Sequence, residues 1–290
     1  MSKAPKAARA RGVHRVAFQG ELGAFSEEAV RALYGEAVVP VPLREFREAG
    51  EAVVEGRVEA AVLPVENSIA GSVGPAYDVL LSLPVRVVGE VVRPIRHCLL
   101  GVPGAALGGV RRAVSHPVAL AQCTEFLRTR PGLEAVAVYD TAGAAREVAE
   151  AGDPAVTAIA SRLAGERYGL EVLAADIQDR DDNQTRFYAV VAADAGAEPG
   201  PPGEERKTAL VLETRNQPGA LVAVLQSFAG HGINLTKLES RPGPEPWSYR
   251  FILELVSGDA EAEAAAVKDA TAAAVSLRVL GRFPPWRPGA

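Results

Sequence analysis

Apolar positions follow two rhythms along this chain. Short runs at 13–18, 60–65, 110–114, 136–139, 156–160 and 187–191 are rich in Val, Ile, Ala and Phe and predict strands; 60–65 is of the fully buried type. Between them lie helically spaced stretches. Residues 27–34 place apolar side chains at 29, 30, 33 and 34 and close on Gly35. Further helices are expected from about Pro75 and over 118–128, 142–150 and 162–168, the last stopped by Gly169. This alternation predicts a mostly parallel α/β domain. After residue 206 the order changes. Strand 207–213, turn 216–219, helix 220–229, strand 233–239, turn 241–246, strand 249–256, helix 261–274 and strand 276–283 give βαββαβ, the ferredoxin-like arrangement.

The two parts are separated by 192–206, a Pro/Gly/charge-rich stretch without apolar periodicity that reads as a linker. The expected organisation is a disordered leader over 1–12, a first domain over 13–191, that linker, a second domain over 207–283 and a tail over 284–290.

Most strands of the first domain end in a small polar residue that opens a helix. Free N–H groups and the helix dipole make such ends favourable to anions. In open α/β sheets, ligands bind beyond the carboxyl ends of strands. Ser26, Asn67, Ser68, Ser115, His116, Thr141 and Ser161 are therefore candidates to line one anion-binding cleft. The alternative for each is a helix cap and nothing more.

Composition narrows the function classes. The 290 residues are 48% hydrophobic and 23% charged, with a net charge of −5. Without a basic excess, neither nucleic acid nor an anionic membrane is an expected partner. No apolar run approaches the roughly 20 residues of a membrane-spanning helix, and the N-terminus lacks the apolar core of a secretory signal. Two cysteines, Cys98 and Cys123, do not make a disulfide framework, so a reducing cytoplasm is the expected location. No His/Cys spacing suits a metal ion.

Four local patterns of the first domain together resemble one family, the prephenate dehydratases. Phe18-Gln19-Gly20-Glu21-Leu22-Gly23-Ala24-Phe25-Ser26 resembles its N-terminal Gly-x-x-Gly-Thr-Phe-Ser motif, with Ala24 in place of Thr. Pro64-Val65-Glu66-Asn67-Ser68 carries the Glu-Asn-Ser motif. Ser115-His116-Pro117-Val118 resembles Ser-His-Pro-Gln, with Val118 for Gln, and Asn183-Gln184-Thr185-Arg186-Phe187 carries Thr-Arg-Phe. The second domain resembles an ACT regulatory domain through Gly219-Ala220-Leu221-Val222 and Glu239-Ser240-Arg241-Pro242.

The resemblance implies a bilobed fold like periplasmic solute-binding proteins, with chain crossings near 92–96 and 174–180. It implies decarboxylating dehydration of prephenate to phenylpyruvate, for which aromatisation supplies the driving force and no cofactor is needed. Thr185 is implicated as the donor to the departing oxygen; a threonine is a weak acid, so hydrogen-bond stabilisation is preferred to full proton transfer. Arg186 is expected to hold a substrate carboxylate, or else to pair with Asp181 or Asp182. Asn67 and Ser68 are expected to donate to substrate, with Gln122 and Asn183 as supporting amides and Ser26, Ser115 and Ser161 at the cleft. Phe187 is expected beneath the site, Glu66 turned away from it, and His97, Cys98 and Cys123 in the core.

L-phenylalanine is the implied effector, at Asn216, Pro218, Gly219, Ala220, Leu221, Asn234, Glu239, Ser240, Arg241 and Pro242 of a homodimer or homotetramer. A chain ending at residue 191 is expected to keep activity and lose phenylalanine control. Arogenate dehydration and a non-catalytic amino-acid sensor stand as alternatives.

Overall fold

The computed structural model describes residues 14–196 and 204–287. The expected leader, the middle of the expected linker and the last three residues lie outside them.

The first lobe opens with β1 (Arg15–Gln19), α1 (Phe25–Tyr34), β2 (Val39–Leu43), α2 (Phe46–Val54), β3 (Ala60–Asn67), the short β4 (Gly71–Ser72), α3 (Gly74–Ser82) and β5 (Val85–Pro94). Residues 95–97 then carry the chain into a second lobe. That lobe holds β6 (Cys98–Gly101), β7 (Arg112–Ser115), α4 (Pro117–Ala121), α5 (Thr124–Arg128), β8 (Glu134–Ala137), α6 (Thr141–Ala151), β9 (Val156–Ala160), α7 (Arg162–Tyr168) and β10 (Glu171–Ala174). Residues 175–183 lead back to the first lobe as β11 (Gln184–Ala192). The C-terminal module is β12 (Arg206–Glu213), α8 (Ala220–Gly230), β13 (Asn234–Pro242), β14 (Tyr249–Ser257), α9 (Ala260–Ala273) and β15 (Ser276–Phe283), the expected βαββαβ order.

Local chemistry explains many boundaries. Asp140 caps α6 by accepting from Gly143 N at 2.7 Å, and Gly152 ends it in the left-handed region. Ser161 caps α7 and Gly169 closes it in the same way. The single helix expected over 118–128 is two short ones, broken at Gln122-Cys123.

Both lobe sheets are mixed rather than mostly parallel. In the first, β1 pairs parallel with β2 and β3, but β11 returns antiparallel between β3 and β5. In the second, β7 pairs parallel with β8 and β9, while β6 runs antiparallel to β9 and β10. The strands that carry the chain between lobes cause this, because each enters a sheet from the opposite end.

The module's sheet, ordered β13-β14-β12-β15, continues into the first lobe through one bridge between Gly281 and Val87. A Cβ on Gly281 would stand 2.1 Å from the Val87 carbonyl oxygen, so only glycine permits that approach. One face of this sheet packs under α8 and α9 around Leu210, Phe228 and Leu253. The other joins the first lobe's core, where Ala209, Val211, Ile252, Leu280 and Phe283 meet Tyr77, Val87, Tyr188 and Val190.

The two lobes are fastened at one end of the cleft. Ser161 Oγ donates to Gly23 O at 2.5 Å, Tyr168 Oη to Leu22 O at 2.8 Å, and Arg167 pairs with the buried Glu27 at 3.0 Å. A Cβ on Gly23 would lie 2.7 Å from Ala164 Cα. At the outer rim, Tyr139 of the second lobe donates its hydroxyl to Arg44 O of the first, and the Arg44 guanidinium covers its ring.

Candidate active site

The cleft between the lobes encloses about 540 Å³. Five helices start at its wall: α1 contributes Phe25 and Ser26, α2 its first residue Phe46, α3 contributes Gly74 and Pro75, α4 its cap His116 with Val118, and α6 its cap Asp140 with Thr141. The positive ends of these helices therefore converge on one space, that of α6 being already capped by the Asp140 carboxylate. Among the described lining residues there is no lysine or arginine. The Asp140 carboxylate is turned to its own helix by the Gly143 N–H. Phe25, Phe46, Ile95, Val118 and Phe187 supply apolar walls.

One side of the cavity is a fixed network of neutral polar groups. Asn67, at the end of β3, stands opposite Thr185 on β11 in the sheet register. Its Nδ2 donates to Asn183 Oδ1 at 2.8 Å, to Thr185 Oγ1 at 3.0 Å and to Gln184 O at 3.0 Å. Its Oδ1 accepts from the backbone N–H groups of Ile69 and Ala70 and, at 3.4 Å, from Gln122 Nε2. Gln122 Oε1 in turn accepts from Asn183 Nδ2 and His97 Nε2, each at 3.0 Å.

The consequence falls on Thr185, which is 8% exposed and lines the cavity. Its oxygen already accepts from Asn67, and among the described residues no acceptor engages its own hydroxyl hydrogen. That hydrogen is free to meet a ligand, and accepting from Asn67 strengthens it as a donor.

Ser26, Asn67, Gln122, Thr185 and Phe187 line the cavity; Asn183 lies just behind, holding Asn67 and Gln122. The others go elsewhere. Ser115 is fully buried and donates to Ile159 O at 2.6 Å. Ser161 is a helix cap that also fastens the lobes. Ser68 is exposed and exchanges hydrogen bonds with Asp182 O and Gln184 N, pinning the 183–184 turn.

Arg186 is the largest correction. Strand alternation turns it to the face opposite Thr185. There it pairs with Glu66, Glu90 and Glu254 rather than with substrate, or with Asp181 or Asp182. Burial alone would lower its pKa; the hydrogen bonds and charge of Glu254 outweigh this and raise it. Glu66, also on the far face, is bound by Arg186 and Lys237. Burial would raise its pKa, but those two cations hold it below the usual range.

His97 is buried, as expected, and it also lines the cavity. Burial pushes its pKa down, against the Gln122 hydrogen bond, so the ring is neutral near pH 7. Nε2 then carries the hydrogen toward Gln122, and Nδ1 has no partner among the described residues. Its place before an apolar strand hid it from sequence reading. Cys98 and Cys123 are buried and free, and burial raises both thiols, Cys123 to about 12.

In the C-terminal module Asn216, Pro218 and Gly219 form an exposed turn before α8, which begins with half-buried Ala220 and Leu221. Asn234, Ser240 and Pro242 are exposed on β13, the last strand of the sheet. Glu239 and Arg241 alternate to the inner face. Glu239 accepts from Ser72 Oγ, and Arg241 reaches Gly74 O at 3.4 Å.

The prephenate dehydratase family model matches residues 16–195 and the ACT domain model residues 208–269. Arogenate dehydratase/prephenate dehydratase 2, chloroplastic, of Arabidopsis thaliana is 42% identical over 283 residues, covering 93% of this chain and 72% of that protein. A bifunctional N-acyl-homoserine lactone acylase/prephenate dehydratase of Komagataeibacter europaeus is 38% identical over 94% of this chain and 96% of its own. A solved structure of prephenate dehydratase from Arthrobacter aurescens in complex with L-Phe superposes with a TM-score of 0.85, at 31% identity, over 93% of this chain and 90% of that one. The chain belongs to the prephenate dehydratase family and carries an ACT domain at its C-terminus.

Proposed function

We propose that this protein converts prephenate to phenylpyruvate, carbon dioxide and water, with Thr185 as the catalytic donor. The observation that carries the reading is the free Thr185 hydroxyl over a cavity ringed by helix N-termini. Several converging dipole ends suit a substrate with two carboxylates. As the ring carboxylate leaves as carbon dioxide, its electron pair enters the ring and the C–O bond breaks. Thr185 donates to the oxygen as negative charge grows there, and a proton from solvent completes water. A donor aimed at developing charge lowers the barrier more than one matched to the ground state. The apolar walls keep bulk water from the ring carboxylate.

Arogenate differs from prephenate in carrying an amino group where prephenate has a keto group, and the name of the Arabidopsis relative includes both activities. We assign L-phenylalanine to the ACT domain as effector, near the 216–221 turn and the exposed side of β13; the A. aurescens complex and the domain match support this. The outer edge of β13, which no strand among the described residues pairs, suits pairing with a second copy, as homodimer or homotetramer. Two buried free cysteines suit a reducing cytoplasm; no helix among the described residues is long and apolar enough to cross a membrane.

The test supplies purified protein with prephenate and, separately, arogenate, following phenylpyruvate by its absorbance in alkali and phenylalanine by chromatography, with and without added phenylalanine. Turnover of prephenate suppressed by phenylalanine is expected. Turnover of arogenate alone would reassign the substrate, and turnover of neither would leave a ligand sensor.

A further inference from the structure

Strands β3 and β11 each place neighbouring residues on opposite faces of one sheet. Thr185 stands opposite Asn67 and Arg186 opposite Glu66. The first pair faces the cavity and makes the hydrogen bond on which the site depends. The second pair faces the ACT domain, where β12, β13 and β14 engage it directly or through Glu90.

From β14, Glu254 grips Arg186 with both oxygens, at 2.5 and 2.8 Å, and accepts from Tyr188 Oη at 2.5 Å. From β12, Lys207 pairs with Glu90, itself 3.3 Å from Arg186. From β13, Lys237 reaches Glu66 at 2.9 Å and Ser72 Oγ at 3.1 Å, and Glu239 accepts from the same Ser72. The last contacts matter because residues 70–75 line the cavity.

We propose that Glu254 and Lys237 of the ACT domain are positioning residues of the dehydratase site: Glu254 sets Thr185 through Arg186, and Lys237 sets Asn67 and the 70–75 loop through Glu66 and Ser72. This rests on the dehydratase reading and adds to it the route by which the second domain acts. Arg186 and Glu254 are buried together, so a displacement of β14 must either carry β11 with it or break a buried bidentate ion pair, leaving Arg186 only Glu66 and Glu90, which is unfavourable. A displacement of β13 pulls likewise on β3 and its loop. An effector that shifts these two strands thereby moves both ends of the Asn67–Thr185 hydrogen bond. The bidentate geometry makes the coupling directional, because a guanidinium fork fixes orientation as well as distance.

The experiment uses the full chain. Glu254→Gln keeps the shape and removes the charge. It is expected to lower kcat by roughly tenfold to a hundredfold, as a small misplacement near the reacting atoms does, with KM nearly unchanged. Placed on top of Thr185→Val it should change kcat no further, since the hydroxyl it positions is gone. Equal losses in both backgrounds, or an unchanged kcat, would overturn the proposal.

A second measurement needs no turnover. Hydrogen exchange in Glu254→Gln should quicken in peptides covering 184–188, and in Lys237→Met in those covering 66–74, while 15–19 on β1 is unaffected. No change, or a uniform rise across the catalytic domain, would refute the relay. Wild-type protein inert toward both prephenate and arogenate would count against the dehydratase reading, leaving the exchange data to judge the relay alone.

Discussion

Replacing Thr185 with valine removes one hydroxyl and keeps the branched shape. Two quantities should move by very different amounts. Stability changes little, because Asn67 Nδ2 keeps Asn183 Oδ1 at 2.8 Å and Gln184 O at 3.0 Å after losing Thr185 Oγ1. The expected cost is that of one net hydrogen bond, ~1 kcal/mol, which lowers Tm by a few degrees for a chain of this size. Activity changes far more. On the proposed mechanism the lost donor is the one aimed at the departing oxygen, and removing such a donor costs about 2.7–4 kcal/mol of transition-state stabilisation, or roughly a hundredfold to a thousandfold in kcat. KM should stay close to wild type, since the bond strengthens only as charge develops. Steady-state kinetics with prephenate, paired with thermal unfolding of the same sample, reads both. A variant with normal kcat and raised KM would place Thr185 in ground-state binding and refute the reasoning. A large fall in Tm would show that the network, not the donor, had been lost.

Gly23→Ala should loosen the fastened end of the cleft. The new Cβ meets Ala164 Cα at 2.7 Å on a backbone with φ of +95°, costing about 1–3 kcal/mol in strain alone, readable as a lower urea midpoint. Acid should weaken the seat of the ACT domain. The cations that hold Glu66 and Glu254 below the ordinary carboxylate range outweigh the opposing effect of burial. Their stabilisation is complete above about pH 4.5 and fades as pH drops through the depressed values; a urea midpoint constant from pH 6 to 3 would contradict this. Ending the chain at residue 191 should abolish activity rather than only regulation, contrary to the expectation from sequence. It strips Ala209, Val211, Ile252, Leu280 and Phe283 from a shared core and takes Glu254 from Arg186; dye binding to exposed apolar surface and an activity assay test it.

Much of this was legible because periodicity and local motifs survive in a single sequence. The βαββαβ order of the second domain, Asn67 and Thr185 were all readable from residues close together in the chain. What escaped reading depends on which face a residue takes. Thr185-Arg186-Phe187 reads as one cluster of function, but β11 begins at Gln184, and its pleat sends Arg186 away from its two neighbours. The serine caps show a related limit. Ser26 and Ser161 both look like small polar residues at helix starts, and only the packing of α7 against Gly23 decides that Ser161 is buried in a seam while Ser26 meets the cavity. His97 lay hidden for the converse reason: an apolar neighbourhood in sequence is also what a desolvated cavity wall looks like. The link between the ACT domain and the site was invisible because its partners lie 68, 171 and 167 residues apart.

On the proposed function the cavity draws anions with peptide groups and neutral amides, not with ammonium or guanidinium side chains. Partial charges of that kind neither ionise nor draw a counter-ion to be expelled when a guest arrives. The share of the pull on a carboxylate that comes from these groups is therefore the same across the range where proteins are stable.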